Sequence, residues 1–196
     1  MVSSIILAAG LSSRMGTSNK LLLTYKCKTV IENVAEAILN AGITEVIMVT
    51  GHEAASLQQA VKKLPLISAF NANYDQGMTS SIQQGTRVAT GTGYMICLSD
   101  MVTITSPEYR ELVAFFEATY LQDEKCICLP VYKNKRGNPV IFSAYYNEAL
   151  LLNNEQDGCR NIVQSNREHV YFKEMNTPHV LQDFDYMEEY KKIAGE

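Results

Sequence analysis

The chain has 196 residues, enough for one α/β domain over 1–196 and thin for two. With 46% apolar residues it can bury a sizeable core. A net charge of −4 argues against nucleic acid or an anionic membrane as the main partner. Charge is nonetheless uneven. From Arg14 to Lys28 there are four basic residues and no acid, and Lys133, Lys135 and Arg136 form a second acid-free group. Two local cationic patches in an acidic protein suit small phosphorylated ligands. The five cysteines are an odd number without a Cys-x-x-Cys spacing, so reduced thiols in a cytoplasmic protein are expected. Cys126-x-Cys128 falls in a strand-like run; successive side chains there point to opposite faces, and no metal clamp is expected. Met1-Val2-Ser3 shows no leader features, and no apolar run reaches about 18 residues.

The first element is an apolar run, Ile5 to Ala9, of strand length. Ala8, Ala9 and Gly10 follow with little side chain, so an anion or a base can approach the backbone N–H groups. The loop then carries Arg14 and Lys20, with Gly16 and the turn formers Thr17, Ser18 and Asn19 between them. A strand, a small-residue loop and two cations describe a phosphate cradle; a solvated surface loop is the plainer alternative. Thr29 can cap a helix in which Val30, Ile31, Val34, Ala37, Ile38 and Ala41 recur at helical spacing, and Gly42 stops it. Glu45 to Thr50 is a buried strand. A helix through Ala54, Leu57, Ala60, Val61 and Leu64 ends at Pro65, and Leu66 to Phe70 is a third strand. This alternation predicts a parallel sheet with right-handed crossovers.

Gly77-Met78-Thr79-Ser80-Ser81 opens a helix through Ile82, Gly85 and Val88. Its hydroxyls can donate to a phosphate or ribose, or simply cap the helix. Tyr94 to Ser99 is a strand with Asp100 at its carboxyl end, the edge where ligands collect in open α/β sheets. An acid there can hold a divalent cation beside phosphate oxygens, or serve as a cap. A helix spans roughly Pro107 to Leu121, and strands follow at Lys125 to Pro130 and Asn138 to Phe142. Near the end, Asp183 and Asp185 alternate, placing both carboxylates on one side of a strand end; capping or solvation is the alternative. His52, His169 and His179 are scattered and show no zinc spacing.

Leu7-Ala8-Ala9-Gly10, Arg14-Met15-Gly16 and Lys20-Leu21-Leu22 together resemble the signature of MobA-like nucleotidyltransferases. Gly77 to Gly85 resembles the Gly-Met-Ser-x-Ser-Leu-x-x-Gly motif of the molybdenum cofactor cytidylyltransferase branch, and the doubled Ala8-Ala9 is similar to that branch too. Leu98-Ser99-Asp100-Met101 resembles the family's metal-binding segment. Gly137-Asn138-Pro139 resembles Gly-His-Pro, with Asn for His, and Asp157-Gly158-Cys159-Arg160 resembles Asp-x-Gly-Ala-Arg, without a preceding glycine. Asp183-Phe184-Asp185 resembles the Asp-Ile-Asp tail, with Tyr186-Met187 where the family has Thr-Pro; Asn176-Thr177-Pro178 imitates the same motif. These blocks occur in order over nearly the whole chain.

The resemblance implies a three-layer α/β/α Rossmann-like domain, mostly parallel, with one reversed strand from the 136–142 region. It implies transfer of CMP from CTP, or a nucleotidyl group from another NTP, to the phosphate of molybdenum cofactor, with release of pyrophosphate. Arg14, Lys20 and Asp100 would be catalytic. Leu7, Ala8, Ala9, Gly10, Arg14, Lys20, Gly77, Ser80 and Ser81 would bind nucleotide, and Gly137, Asn138, Pro139, Asp157 and Arg160 the acceptor. Asp100 and Asp185 would hold Mg²⁺ or Mn²⁺. A transient contact with a molybdoenzyme or its chaperone is a further expectation. The runners-up are a sugar- or alditol-phosphate nucleotidyltransferase and a non-catalytic nucleotide-binding or cofactor-handling protein.

Overall fold

The computed structural model describes residues 1–11, 19–156, 158–183 and 190. Arg14, Asp157 and Asp185, three of the expected site residues, lie outside the described residues. In chain order the elements are β1 (Val2–Ala8), β2 (Thr24–Tyr25), β3 (Lys28–Thr29), α1 (Val30–Asn40), β4 (Glu45–Thr50), α2 (Ala54–Ala60), β5 (Ile67–Phe70), α3 (Met78–Val88) and β6 (Gly93–Leu98). There follow α4 (Ser106–Tyr120), β7 (Ile127–Tyr132), β8 (Lys135–Arg136), β9 (Val140–Ser143), α5 (Asn147–Leu151), α6 (Arg160–Ser165) and β10 (Val170–Glu174).

The main sheet runs β10-β7-β9-β6-β1-β4-β5, with β8 paired to β7. β1 pairs parallel to β4 and β6, β4 to β5, and β10 to β7. β9 is antiparallel to both β6 and β7, so it is the reversed strand expected near 136–142. Its short connections explain the reversal: a hairpin-scale link cannot return a strand in parallel, whereas the longer helical crossovers can.

The central strands are apolar on both faces because helices cover both. Ile6, Met48, Met95 and Cys97 join the core under α1, α2 and α4; Ile5, Ile47, Val49 and Ile96 join the core under α3, α5 and α6. Cys126 and Cys128 both belong to the first core. The two side chains therefore share a face, which corrects the premise taken from strand alternation and leaves the expectation about a metal clamp untouched. Neighbours diverge, but residues two apart share a face.

Local signals set several boundaries. Thr29 caps α1 through the expected oxygen, and Glu32 Oε2 in turn accepts from Thr29 N at 2.8 Å. Gly42, with φ 92°, follows the helix end in a left-handed conformation. α2 stops at Ala60, short of Leu64, because Pro65 pushes its predecessor out of helical geometry and the chain closes a turn from Leu64 N to Val61 O at 2.9 Å.

α3 lies directly on the sheet. A Cβ on Gly85 would stand 2.3 Å from Ile5 Cγ2 and 3.1 Å from Val49 Cγ2. Glycine therefore lets the helix that begins at Gly77 reach its seat. Gly85→Ala is expected to destabilise by about 1–3 kcal/mol, the usual cost of overpacking. Urea denaturation checks it; an unchanged midpoint would show that the helix lifts without cost.

Candidate active site

The site gathers at the carboxyl ends of β1, β4 and β6, as the parallel topology predicts. β1 delivers Leu7 and Ala8, then Ala9 and Gly10. Ala8 and Ala9 are buried, and a Cβ on Gly10 would meet nothing within 4 Å. Two bonds pin this loop from either side. Ser99 Oγ donates to Leu7 O at 2.6 Å, and His52 N donates to Ala9 O at 3.3 Å. Nothing in the sequence singled out Ser99 or His52 for that role, since each acts across the sheet on a residue distant in the chain.

Lys20 and Asp100 meet at the same edge. Lys20 Nζ donates to Asp100 Oδ2 at 2.5 Å, and both side chains are largely buried. Lys20 starts a 3-10 turn, Lys20–Leu22, in which Asn19 Oδ1 accepts from Leu21 N at 3.0 Å. The backbone thus fixes where the ammonium group stands. Burial pushes the Asp100 carboxyl above its ordinary value, the Lys20 ammonium draws it down, and the Asp183 carboxylate pushes it up again; the net direction is upward.

Asp100 Oδ1 is buried and has no hydrogen-bond partner among the described residues. An acceptor-only carboxylate with one orphaned oxygen, within electrostatic reach of a second carboxylate, fits a divalent cation. Its positive charge would relieve both the burial and the like-charge repulsion. Among the described tail residues it is Asp183 whose charge reaches Asp100; Asp185 lies outside them.

α3 brings its amino end to this edge. Gly77, at φ 96°, turns the chain into the helix. The Ser80 and Ser81 hydroxyls accept from Asn71 Nδ2 at 2.8 and 3.0 Å. Ser80 Oγ also donates within reach of Asn73 O and Gly77 O, both at 2.8 Å. These bonds lock the loop after β5 to the start of α3, so Asn71 belongs to the site's framework although the sequence did not flag it. On the other side Thr79 Oγ1 donates to Glu155 O and accepts from Gly158 N at 3.1 Å. Glu155 and Gly158 are therefore hung on the same helix start.

A cavity of about 370 Å³ opens between these elements. Ile96, Leu98 and Phe142 form an apolar part of its lining, the exposed Arg136 and Arg160 stand at its rim, and Asn138 and the buried Gly137 line it too. The structure thereby unites Gly137, Asn138 and Arg160, three of the expected acceptor residues separated by more than twenty positions. Pro139 follows a cis Asn138–Pro139 bond and is not among the lining residues. Arg136, a neighbour from the basic 133–136 group, joins the rim with its guanidinium 5.1 Å from the centre of the Phe172 ring. Arg160 is the first residue of α6, the end where a cation gains nothing from the helix dipole.

The mostly parallel α/β sheet thus carries a buried Lys–Asp pair at its strand ends and a cavity lined by two arginines. The MobA-like NTP transferase domain matches residues 4–170, and the chain belongs to that family. It is 27% identical over 143 residues to the molybdenum cofactor cytidylyltransferase of Escherichia coli (strain K12), across 72% of this chain and 70% of that protein. It is 33% identical over 100 residues to nicotine blue oxidoreductase of Paenarthrobacter nicotinovorans, across 50% of this chain and 49% of that protein, about half the relative's length. A nucleotidyl transferase structure from Methanothermobacter superposes over 100% of this chain and 96% of its own with a TM-score of 0.85 and 23% identity, a likeness of fold. Among the described residues no helix is long and apolar enough to cross a membrane.

Proposed function

We propose that this protein transfers CMP from CTP to the terminal phosphate of molybdenum cofactor and releases pyrophosphate. The observation that carries the reading is the junction of two half-sites. The Leu7–Gly10 loop and the Lys20–Asp100 pair stand at one end of β1 and β6, and the Arg136–Arg160 cavity opens beside Leu98, two residues before Asp100. In the reaction a phosphate oxygen of the acceptor forms a bond to the α-phosphorus, the α–β bridging bond breaks, and its electron pair leaves with pyrophosphate. Positioning and charge neutralisation suffice for such a step, with no covalent enzyme intermediate. Lys20, together with Arg14, would neutralise charge developing on the phosphates. Arg160, Arg136 and Asn138 would orient the acceptor phosphate. Asp100, with Asp183 or Asp185, would hold Mg²⁺ or Mn²⁺, which when bound screens the α-phosphate against the approaching anion.

The test is a panel of four NTPs with molybdenum cofactor, following pyrophosphate. CTP is expected to turn over well ahead of the others, because polar groups matched to the cytosine edge are left unpaired by another base. Equal turnover with GTP would refute the base assignment. Pyrophosphate formation only with a sugar phosphate would move the protein to the neighbouring acceptor class.

Arg160→Ala separates the two half-sites. It should leave CTP binding in the absence of acceptor nearly unchanged and raise the acceptor KM by roughly 10- to 150-fold, the equivalent of about 1.5–3 kcal/mol for a lost charged hydrogen bond. Loss of CTP binding in calorimetry would place Arg160 with the nucleotide instead.

A second reading is an oxidoreductase acting on a compound of the nicotine blue kind, the substrate in the name of the 33% identical relative. The apolar part of the cavity lining, Ile96, Leu98 and Phe142, favours it. Turnover of nicotine blue with a nicotinamide dinucleotide, and no pyrophosphate from any NTP, would support that reading over the first.

A further inference from the structure

Glu108 is a buried charged residue with no bond to Lys20 or Asp100 among those of the described residues, and its bonds exceed what helix capping requires. It occupies the third position of α4, where it closes a capping box: Glu108 Oε2 accepts from Thr105 N at 2.8 Å and from Thr105 Oγ1 at 2.7 Å. The same carboxylate also receives the chain's tail. Thr177 Oγ1 donates to Glu108 Oε1, and His179 Nδ1 lies 3.1 and 3.0 Å from the two oxygens.

Thr177 in turn caps the 3-10 turn Pro178–Leu181, accepting from His179 N at 3.4 Å. Val180 in that turn is fully buried, and Val180 O accepts from Asn138 N at 2.9 Å. The fit leaves no slack, since a Cβ on Gly137 would stand 2.3 Å from Val180 O. Two residues beyond the turn comes Asp183, whose charge acts on Asp100. One short turn thus braces the Gly137–Asn138 wall of the cavity and carries the chain on to Asp183.

We propose that Glu108 is a positioning residue of the active site: through Thr177 and His179 it sets the Pro178–Leu181 turn, which holds the Gly137–Asn138 acceptor wall in place and carries the chain on to Asp183. The proposal rests on the reading of Asp100 and Asp183 as a cation site given above. The hydrogen bonds from Thr177, Thr105 and His179 outweigh burial and keep the Glu108 carboxyl below its ordinary value, so Glu108 is ionised and accepts from both partners at neutral pH.

The test is Mn²⁺ binding to the full chain without nucleotide, read from the loss of the free-ion electron paramagnetic resonance signal. Asp183→Asn serves as the reference. Thr177→Val removes the hydroxyl and keeps the shape, Thr177→Ser restores the hydroxyl, and Glu108→Gln keeps the Thr105 box while replacing one acceptor oxygen with a donor. Thr177→Val and Glu108→Gln are expected to raise the Mn²⁺ Kd by about tenfold, the scale of one lost hydrogen bond to a charged group. Thr177→Ser should stay within about twofold of the unmodified chain, a rescue that general loss of stability would not follow hydroxyl by hydroxyl. If Asp183→Asn weakens Mn²⁺ binding while Thr177→Val leaves it unchanged, the cation site stands and the positioning role of Glu108 falls. If Asp183→Asn has no effect, or the unmodified chain binds no Mn²⁺, the reading of Asp183 as a ligand fails and carries the proposal with it.

Discussion

Asp100→Asn is expected to lower turnover by about 10²-fold or more while the protein remains folded. The substitution keeps the side chain's volume and removes the charge that a cation at Oδ1 would require. The unmodified protein should gain thermal stability when Mg²⁺ or Mn²⁺ is added, by about 2.7 kcal/mol at a hundredfold excess over Kd. The Asn variant should not gain it. Two readouts, turnover and the cation-induced shift in melting temperature, therefore have to fail together. Normal turnover in a folded Asp100→Asn protein would remove Asp100 from the reaction.

Lys20→Ala has the second large effect, and it appears in two independent measurements. CTP binding without acceptor should weaken by roughly 10- to 150-fold, matching about 1.5–3 kcal/mol for a charged hydrogen bond to phosphate. The second measurement is the pH dependence of stability. The Asp100 carboxyl titrates above its ordinary value of 3.8 in the folded protein, mainly through burial, so just above pH 3.8 the native state holds a proton that the unfolded chain has released. Stability from this group is complete below pH 3.8 and declines as pH rises through the folded-state value. Lys20 opposes the upward shift, and its removal should push the decline to higher pH. Urea denaturation at several pH values from 4 to 8 should show the stability gap between Lys20→Ala and the unmodified protein widening with pH. A gap of constant size would mean that the ammonium does not support the ionised carboxylate.

Much of this arrangement is legible in the residues because it depends on near neighbours. Thr29 with Glu32, Gly42 and the Gly77 turn announce helix ends through local backbone chemistry. Asp100 declares itself by following the apolar run of β6. Other features depend on contacts that no local pattern encodes. β10, at the sheet edge, is held by parallel pairing with β7 across more than forty residues, and neither α5 nor α6 is long enough for a helical period to stand out. Asn71 resembles any loop asparagine until the fold brings it to Ser80 and Ser81. Glu108 is readable as a capping residue, whereas its hold on Thr177 and His179 exists only once the tail has folded back over α4. Asn176, Asp183 and Asp185 all fit the tail motif; the Asp183 charge acts on Asp100, and Asp185 lies outside the described residues.

The most direct test of nucleotidyl transfer is to follow the α-phosphate. CTP labelled at the α-phosphorus, incubated with the protein, Mg²⁺ and molybdenum cofactor, should yield the label on the acceptor and unlabelled pyrophosphate in equal amount. Without acceptor the label should stay in CTP. Label recovered as free CMP with or without the acceptor would show hydrolysis instead of transfer. Label remaining in CTP under every condition would contradict the account outright.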